Sequence, residues 1–418
     1  MNHTEERPSV LVNWPTLLMG LSLAVSAFGL LVISGCLALL SLSTLSTFGP
    51  QDTLTILMLA AGTFALGLLL VPGAYLNAQK VFNWTEPGWA WLQVRPRLPT
   101  AILLMIWVVS LALGQALAAH RVFSLVFLPV INTFALILPV AIALRLVLKD
   151  LPWPSARRAW SIFGASAMLG PGLAIFLELF ALLGFVLLLM LYAASTPGLD
   201  DVFRTLLEEL RSETTAGDFT SQQMTTLLLS PGAVVLVLGL FAVVIPIVEE
   251  ICKVFLLWFY AGKMRSPVEG FVAGVLCGAA FALAENVGFS SAGAEDWLLN
   301  VLTRVTAVLP HIFNSGLVGW GLVLAWQRRD YVRFGLAYLA ATLVHGVWNA
   351  LSVALAFHSI GGLTAGVSPL IETPLPALIT WFLLVFGILG GLFLANHQVR
   401  KQAVSEGNAD VGYNLPSS

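Results

Sequence analysis

Ten stretches of the chain stay apolar for about twenty residues or more, the length that carries an α-helix across a hydrocarbon core. They lie near 16–41, 53–76, 98–118, 122–145, 161–192, 232–260, 268–289, 301–326, 333–357 and 374–396. Apolar residues run continuously through them rather than on alternate positions, which argues against a membrane β-barrel and predicts helices. The expected fold class is all-α: a polytopic integral membrane protein with about ten transmembrane helices. Two prolines interrupt the pattern. Pro171, after Gly170, is expected to bend the fifth span, and Pro246 to bend or open a turn of the sixth.

The polar positions between the spans set an orientation. Lys80, Arg95 and Arg97, then Arg145, Lys149, Arg157 and Arg158, then Lys263 and Arg265, then Arg328, Arg329 and Arg333, then Arg400 and Lys401 fall in alternate connections. The other connections (43–52, 290–300, 358–373) carry almost no basic residues. This bias predicts both termini in the cytoplasm of a cell (plasma or inner) membrane. The opening MNHTEERPSVLVNWP sets Glu5 and Glu6 against Arg7, so no cleavable signal is expected and the first span stays as an anchor. Trp84, Trp89 and Trp91 beside Arg95 and Arg97 read as an interfacial belt.

Four regions follow from this pattern. Residues 1–160 read as an N-terminal transmembrane scaffold, and 161–231 as the fifth span with an external amphipathic loop. Residues 232–357 form the chemistry-bearing membrane core, and 358–418 the last span with a cytoplasmic tail. In the loop, DDVFRTLLEELRSE places Val202, Phe203, Leu206, Leu207 and Leu210 on one helical face, with Asp200 or Asp201 as N-cap. Such a helix would rest on the membrane surface.

Composition narrows the class. Of the 418 residues 58% are hydrophobic and 10% charged, with a mean hydropathy of +0.90, whereas soluble chains carry about 25% charged residues. A net charge of −2 without a basic block gives nucleic acid nothing to bind. Cys36, Cys252 and Cys277 form no CxxC and read as small core residues, although Cys252 lies within EEICK.

Against this background the polar residues of the sixth to ninth spans stand out. In order they are EEICK (Glu249, Glu250, Lys253), FALAEN (Glu285, Asn286), PHIFNSG (His311, Asn314, Ser315) and HGVWN (His345, Trp348, Asn349). A charge near the bilayer centre costs roughly 2.5–3.5 kcal/mol even on the mildest insertion scale. The only acid in the first five spans is Glu178, which reads as a packing or interfacial residue. Glu249 and Glu250 differ by about 100° around the helix, so they cannot face the same way. Lys253 is i+4 from one and i+3 from the other and can neutralise either. His345 and Asn349 stack one turn apart on one face, able to address one substrate together.

Depth adds to this. Counted from Tyr260, Glu249 lies roughly 17 Å into a core about 30 Å thick, and His345 roughly 18 Å from Arg333. His311 comes out on the order of 10–16 Å from the outer edge, with Glu285 shallower. The set is expected between the midplane and the outer face. Such a set suits peptide hydrolysis, which needs an activated water, a base and an oxyanion donor. It equally suits a proton-coupled transporter or channel with a Glu/His relay. No half-repeat supports the transporter, and no GxSxG or HExxH supports a serine or ordinary zincin mechanism.

The order EExxK, FAxxEN, a His-bearing span and HxxxN resembles the PrsW family of intramembrane proteases, within the wider group of CAAX-prenyl endopeptidases and bacteriocin-processing enzymes. The resemblance covers roughly residues 235–355. It implies hydrolysis of membrane-anchored protein or peptide substrates, with anti-sigma-factor-like regulators a typical class. By motif position it implies Glu249 and Glu250 as paired catalytic acids. Glu285, His311, His345 and Asn349 are the remaining catalytic positions, with Lys253 and Asn286 supporting. Two mechanisms remain open at this level. In one, His311, His345 and Glu285 hold Zn²⁺ with an open position for water. In the other a glutamate alone activates water, while His345 and Asn349 hold the oxyanion.

Overall fold

The computed structural model describes residues 13–47, 49–84, 98–211, 222–289, 297–361 and 375–407. No strand occurs among them. Ten helical stretches are long and apolar enough to cross a membrane, from Trp14–Leu45 to Leu375–Gln402. Each coincides with an expected span, and most run several residues past its edges. Helices extend that way because backbone groups need intrahelical partners through the whole hydrocarbon region, whether or not the side chains stay apolar.

In chain order the helices are α1 (Trp14–Thr47), α2 (Pro50–Phe82), α3 (Thr100–Ala118), α4 (Arg121–Val147), α5 (Ala156–Ser195), α6 (Leu199–Arg211), α7 (Gln222–Leu228) and α8 (Pro231–Gly239). There follow α9 (Ile245–Val254), α10 (Pro267–Gly288), α11 (Trp297–Arg328), α12 (Tyr331–Gly361) and α13 (Leu375–Gly407). Pro50, Pro231 and Pro267 each open a helix, where a missing N–H removes nothing that would have been bonded. Ser266 Oγ accepts from Glu269 N (3.3 Å) while Glu269 Oε2 accepts from Arg265 N (3.3 Å), a reciprocal cap that starts α10.

α5 is one helix of 40 residues with Pro171 inside it. One local expectation needs correction. Asp200 and Asp201 do not cap α6. They lie in its first turn, and Asp200 Oδ1 accepts from Gly198 N at 3.2 Å. The turn at Gly198 takes a positive φ of 83°, and the chain enters the helix at Leu199, at least two residues earlier than expected. Glu5, Glu6, Arg7, Trp89, Trp91, Arg95 and Arg97 lie outside the described residues.

The chain divides into two compact units. The first comprises Met1–Met168 and Ala279–Val308. Its core gathers Leu54 and Met58 of α2, Leu128 and Leu136 of α4, and Trp297 at the start of α11. The Trp297 indole N–H donates to Asn132 Oδ1 at 3.0 Å, which lets a large aromatic be fully buried with its polar atom satisfied. Asn77 of α2 ties α5 by donating to Ser161 Oγ at 2.7 Å.

The second unit comprises Leu169–Gly278 and Leu309–Ser418. Here α10 and α11 approach so closely that a Cβ on Gly278 would collide with the His311 carbonyl. Small residues substitute for a hydrophobic driving force that lipid cannot provide. The contact fixes α11 where it carries His311, Asn314 and Ser315.

Candidate active site

The sixth span is not a uniform helix. α8 passes into a π turn at Leu240–Val244, then α9, then a 3₁₀ turn at Phe255–Tyr260. In the π turn the Ile245 N–H reaches Leu240 O, five residues back. Downstream, α9 has an inverted amphipathic pattern. Ile247 and Ile251 are exposed on one side, where lipid would lie, while Glu250 and Lys253 are fully buried on the other.

Charge converges on that buried side. Lys253 Nζ lies 2.7 Å from Glu250 Oε1 and 3.1 Å from Glu249 Oε2. One ammonium therefore serves both acids, as i+3 and i+4 spacing allows. The Glu249 side chain keeps 12% of its surface accessible, whereas that of Glu250 keeps none. α12 supplies His345, whose Nδ1 is 2.8 Å from Glu250 Oε1 and 3.3 Å from Lys253 Nζ. The shorter contact places the ring proton on Nδ1, donated to Glu250. The far nitrogen, Nε2, then faces Glu249 Oε2 at 3.8 Å.

α11 closes the cluster. Asn314 is fully buried and its amide reaches Glu250 Oε1 at 3.4 Å. The rings of His311 and His345 meet edge to face, with centroids 5.7 Å apart. Glu250 Oε2, Asn314 Oδ1 and Ser315 Oγ are buried with no hydrogen bond in the structure. Buried polar atoms in that condition are rare, and mark a place where water or a reacting group is accommodated.

Residues 210–387 match the model of the PrsW family intramembrane metalloprotease. Residues 210–387 are similar to that family's protease domain. The chain is a membrane peptidase, and ten apolar helices among its described residues make it a multi-pass membrane protein. Among curated proteins and among solved structures, none matches.

The PrsW match spans the four motifs, and the structure brings five expected residues together: Glu249, Glu250, Lys253, His311 and His345. Asn349 has another engagement. Its Nδ2 donates to Phe241 O at 2.9 Å, so it is not aimed with His345 at a common point. Glu285 and Asn286 belong to the first unit. Arg304 Nη1 contacts Glu285 Oε1 at 3.1 Å and lies over the Phe289 ring at 4.2 Å. Asn286 is buried. Asn314 and Tyr338 were not among the expected site residues. Tyr338 donates its hydroxyl to Ile247 O at 2.7 Å. The spacing 338, 345, 349 along α12 was the available signal, because those positions share a helical face.

Among the described residues no group of three or more His, Cys, Asp and Glu side chains is arranged to hold a metal ion. Glu285 is engaged by Arg304. Glu250 Oε1 already accepts from the Lys253 ammonium at 2.7 Å and from His345 Nδ1 at 2.8 Å. The donor set as placed does not fit a metal site.

Proposed function

We propose that this PrsW-type peptidase cleaves membrane-anchored proteins with a water held between Glu249 and His345. The supporting observation is the fully buried Glu250–Lys253 pair that positions His345 while leaving Glu249 at the accessible edge. With Nδ1–H given to Glu250, the His345 Nε2 lone pair and Glu249 Oε2 are both acceptors. A water donating to both spans a 3.8 Å separation with its oxygen turned outward.

In this reading the water oxygen attacks the scissile carbonyl carbon while Glu249 takes a proton. The Lys253 ammonium, 3.1 Å from Glu249 Oε2 and 2.7 Å from Glu250 Oε1, balances both carboxylates. His311 donates to the oxyanion as the tetrahedral intermediate forms. The captured proton passes to the peptide nitrogen, the C–N bond breaks, and a carboxylate and an amine leave. Glu250 holds His345, Asn314 supports Glu250, and neither touches the substrate.

The expected substrates are single-span proteins, anti-sigma-factor-like regulators among them, in a cell membrane with both termini of this chain cytoplasmic. The alternating Lys and Arg supports that orientation. Glu250 lies ten residues before Tyr260, about 15–20 Å along the span. His345 lies fourteen residues after Tyr331, about 21 Å along α12. Both counts support cutting from mid-membrane outward.

The test is reconstitution with a panel of tagged single-span substrates, comparing wild type with Glu249→Gln, the fragments read by mass spectrometry. Cleavage by wild type alone, in the outer portion of the substrate span, is expected. Equal cleavage by both proteins would overturn the role of Glu249, and cuts confined to the cytoplasmic edge would overturn the depth.

A further inference from the structure

The π turn ahead of the two glutamates raises a hydrogen-bonding question that α12 answers. Ile245 N–H bonds to Leu240 O, five residues back. In that register the next carbonyl, Phe241 O, is owed an N–H from residue 246. That residue is proline and has none. Inside a bilayer an unsatisfied carbonyl cannot turn to solvent water. Asn349 Nδ2 donates to Phe241 O at 2.9 Å, the atom that Pro246 leaves without a partner.

Two neighbours on α12 support the same segment. A Cβ on Gly346 would collide with the carbonyl oxygen of Ala242, so glycine there allows the π turn to press against α12. Tyr338 donates to Ile247 O just past the proline. One face of α12 thus follows the broken span from Phe241 to Glu250, with Asn349 on Phe241 and His345, one turn before it, on Glu250.

The geometry points to Asn349 as a positioning residue: its amide replaces the N–H that Pro246 lacks and so holds the π turn that sets which glutamate faces His345. A π turn holds one residue more than an α turn and rotates everything after it by about 100°. Relaxing it would carry Glu250 away from Nδ1 of His345. This inference rests on the proposed reading for its catalytic consequence, though not for its structural one.

The experiment is a double-mutant cycle with Asn349→Leu and Pro246→Ala in the full-length protein in detergent. With Pro246 in place, Asn349→Leu should lower the melting temperature by about 2–4 °C. In the Pro246→Ala background, where residue 246 offers an N–H to Phe241 O, the loss should be under half of that. Should Asn349→Leu fail to accumulate, accumulation replaces melting: recovery on adding Pro246→Ala supports the proposal. With cleavable substrate, Asn349→Leu should lower kcat about tenfold at near-constant KM, and Pro246→Ala should restore most of it. Equal losses in both backgrounds would reduce Asn349 to ordinary packing and overturn the inference. So would a protein that melts like wild type while losing kcat, which would put Asn349 on the substrate. The melting cycle needs no substrate. If even wild type cleaves nothing, the functional proposal fails and the hydrogen-bonding one is still decided.

Discussion

The Glu285–Arg304 and Glu250–Lys253 pairs both sit in membrane-spanning helices, and they are built for different work. Glu285 and Arg304, in the first unit, keep 23% and 28% of their side-chain surface accessible, and Arg304 is further held over Phe289. Glu250 and Lys253, in the second unit, keep none. The first sets charge against charge with an aromatic face beneath. The second draws in a second acid, a histidine and an amide, and still leaves acceptor atoms without partners. It holds a third group in place, and that group, His345, is the one that faces Glu249.

Several substitutions would break or sharpen this contrast. Lys253→Met should have the largest effect, because it strands two carboxylates: a loss on the order of 3–5 kcal/mol, seen as failure to accumulate or a much lowered melting temperature. Adding Glu250→Gln should recover part of it, and no recovery would deny that the two residues act as a pair. Glu249→Gln should leave melting nearly unchanged and lower cleavage by about 10²–10⁴-fold, the range of a lost general base. A Glu249→Gln protein that melts far below wild type would assign that acid to structure instead. Glu285→Gln should be milder, about 1 kcal/mol or less for a partly accessible pair, with cleavage reduced less than tenfold. A loss as deep as that of Glu249→Gln would make the first unit's pair catalytic and erase the contrast. The smallest expected change is with a membrane-permeable chelator: cleavage should persist in protein shown by elemental analysis to be metal-free. One equivalent of zinc per chain, lost in His345→Ala together with activity and restored by Zn²⁺, would replace the water-activation scheme.

How much of this was legible in the sequence depends on how local each cause is. The ten spans were, since a chain in lipid must satisfy its backbone within each segment, and length and apolarity follow. The reach of Lys253 to both glutamates was too, because i+3 and i+4 neighbours are set by helix geometry alone. Pro246 announced an opened turn, and the π turn at Leu240–Val244 is that turn. What could not be read was anything set by the register between helices. His345 and Asn349 share a face, yet one meets a carboxylate and the other a backbone carbonyl. Nothing in HxxxN distinguishes those partners. Asn314 was visible in PHIFNSG but had no reason to be singled out until α11 was seen beside Glu250.

Helix α3 has a consequence of another kind. At 19 residues it is about 28 Å long, close to the thickness of an ordinary hydrocarbon layer and far shorter than the 40-residue α5. The Arg145 Nε donates to Thr100 Oγ1 at 3.1 Å, pinning its first residue beside the basic end of α4. A rod of that length has no surplus with which to tilt. A thicker bilayer must thin around it, and each ångström of mismatch costs a fraction of a kcal/mol. The acyl-chain length of the surrounding lipid is therefore a variable in its own right, and reconstitution in a graded series of lipids should show a thickness optimum for the stability of the first unit.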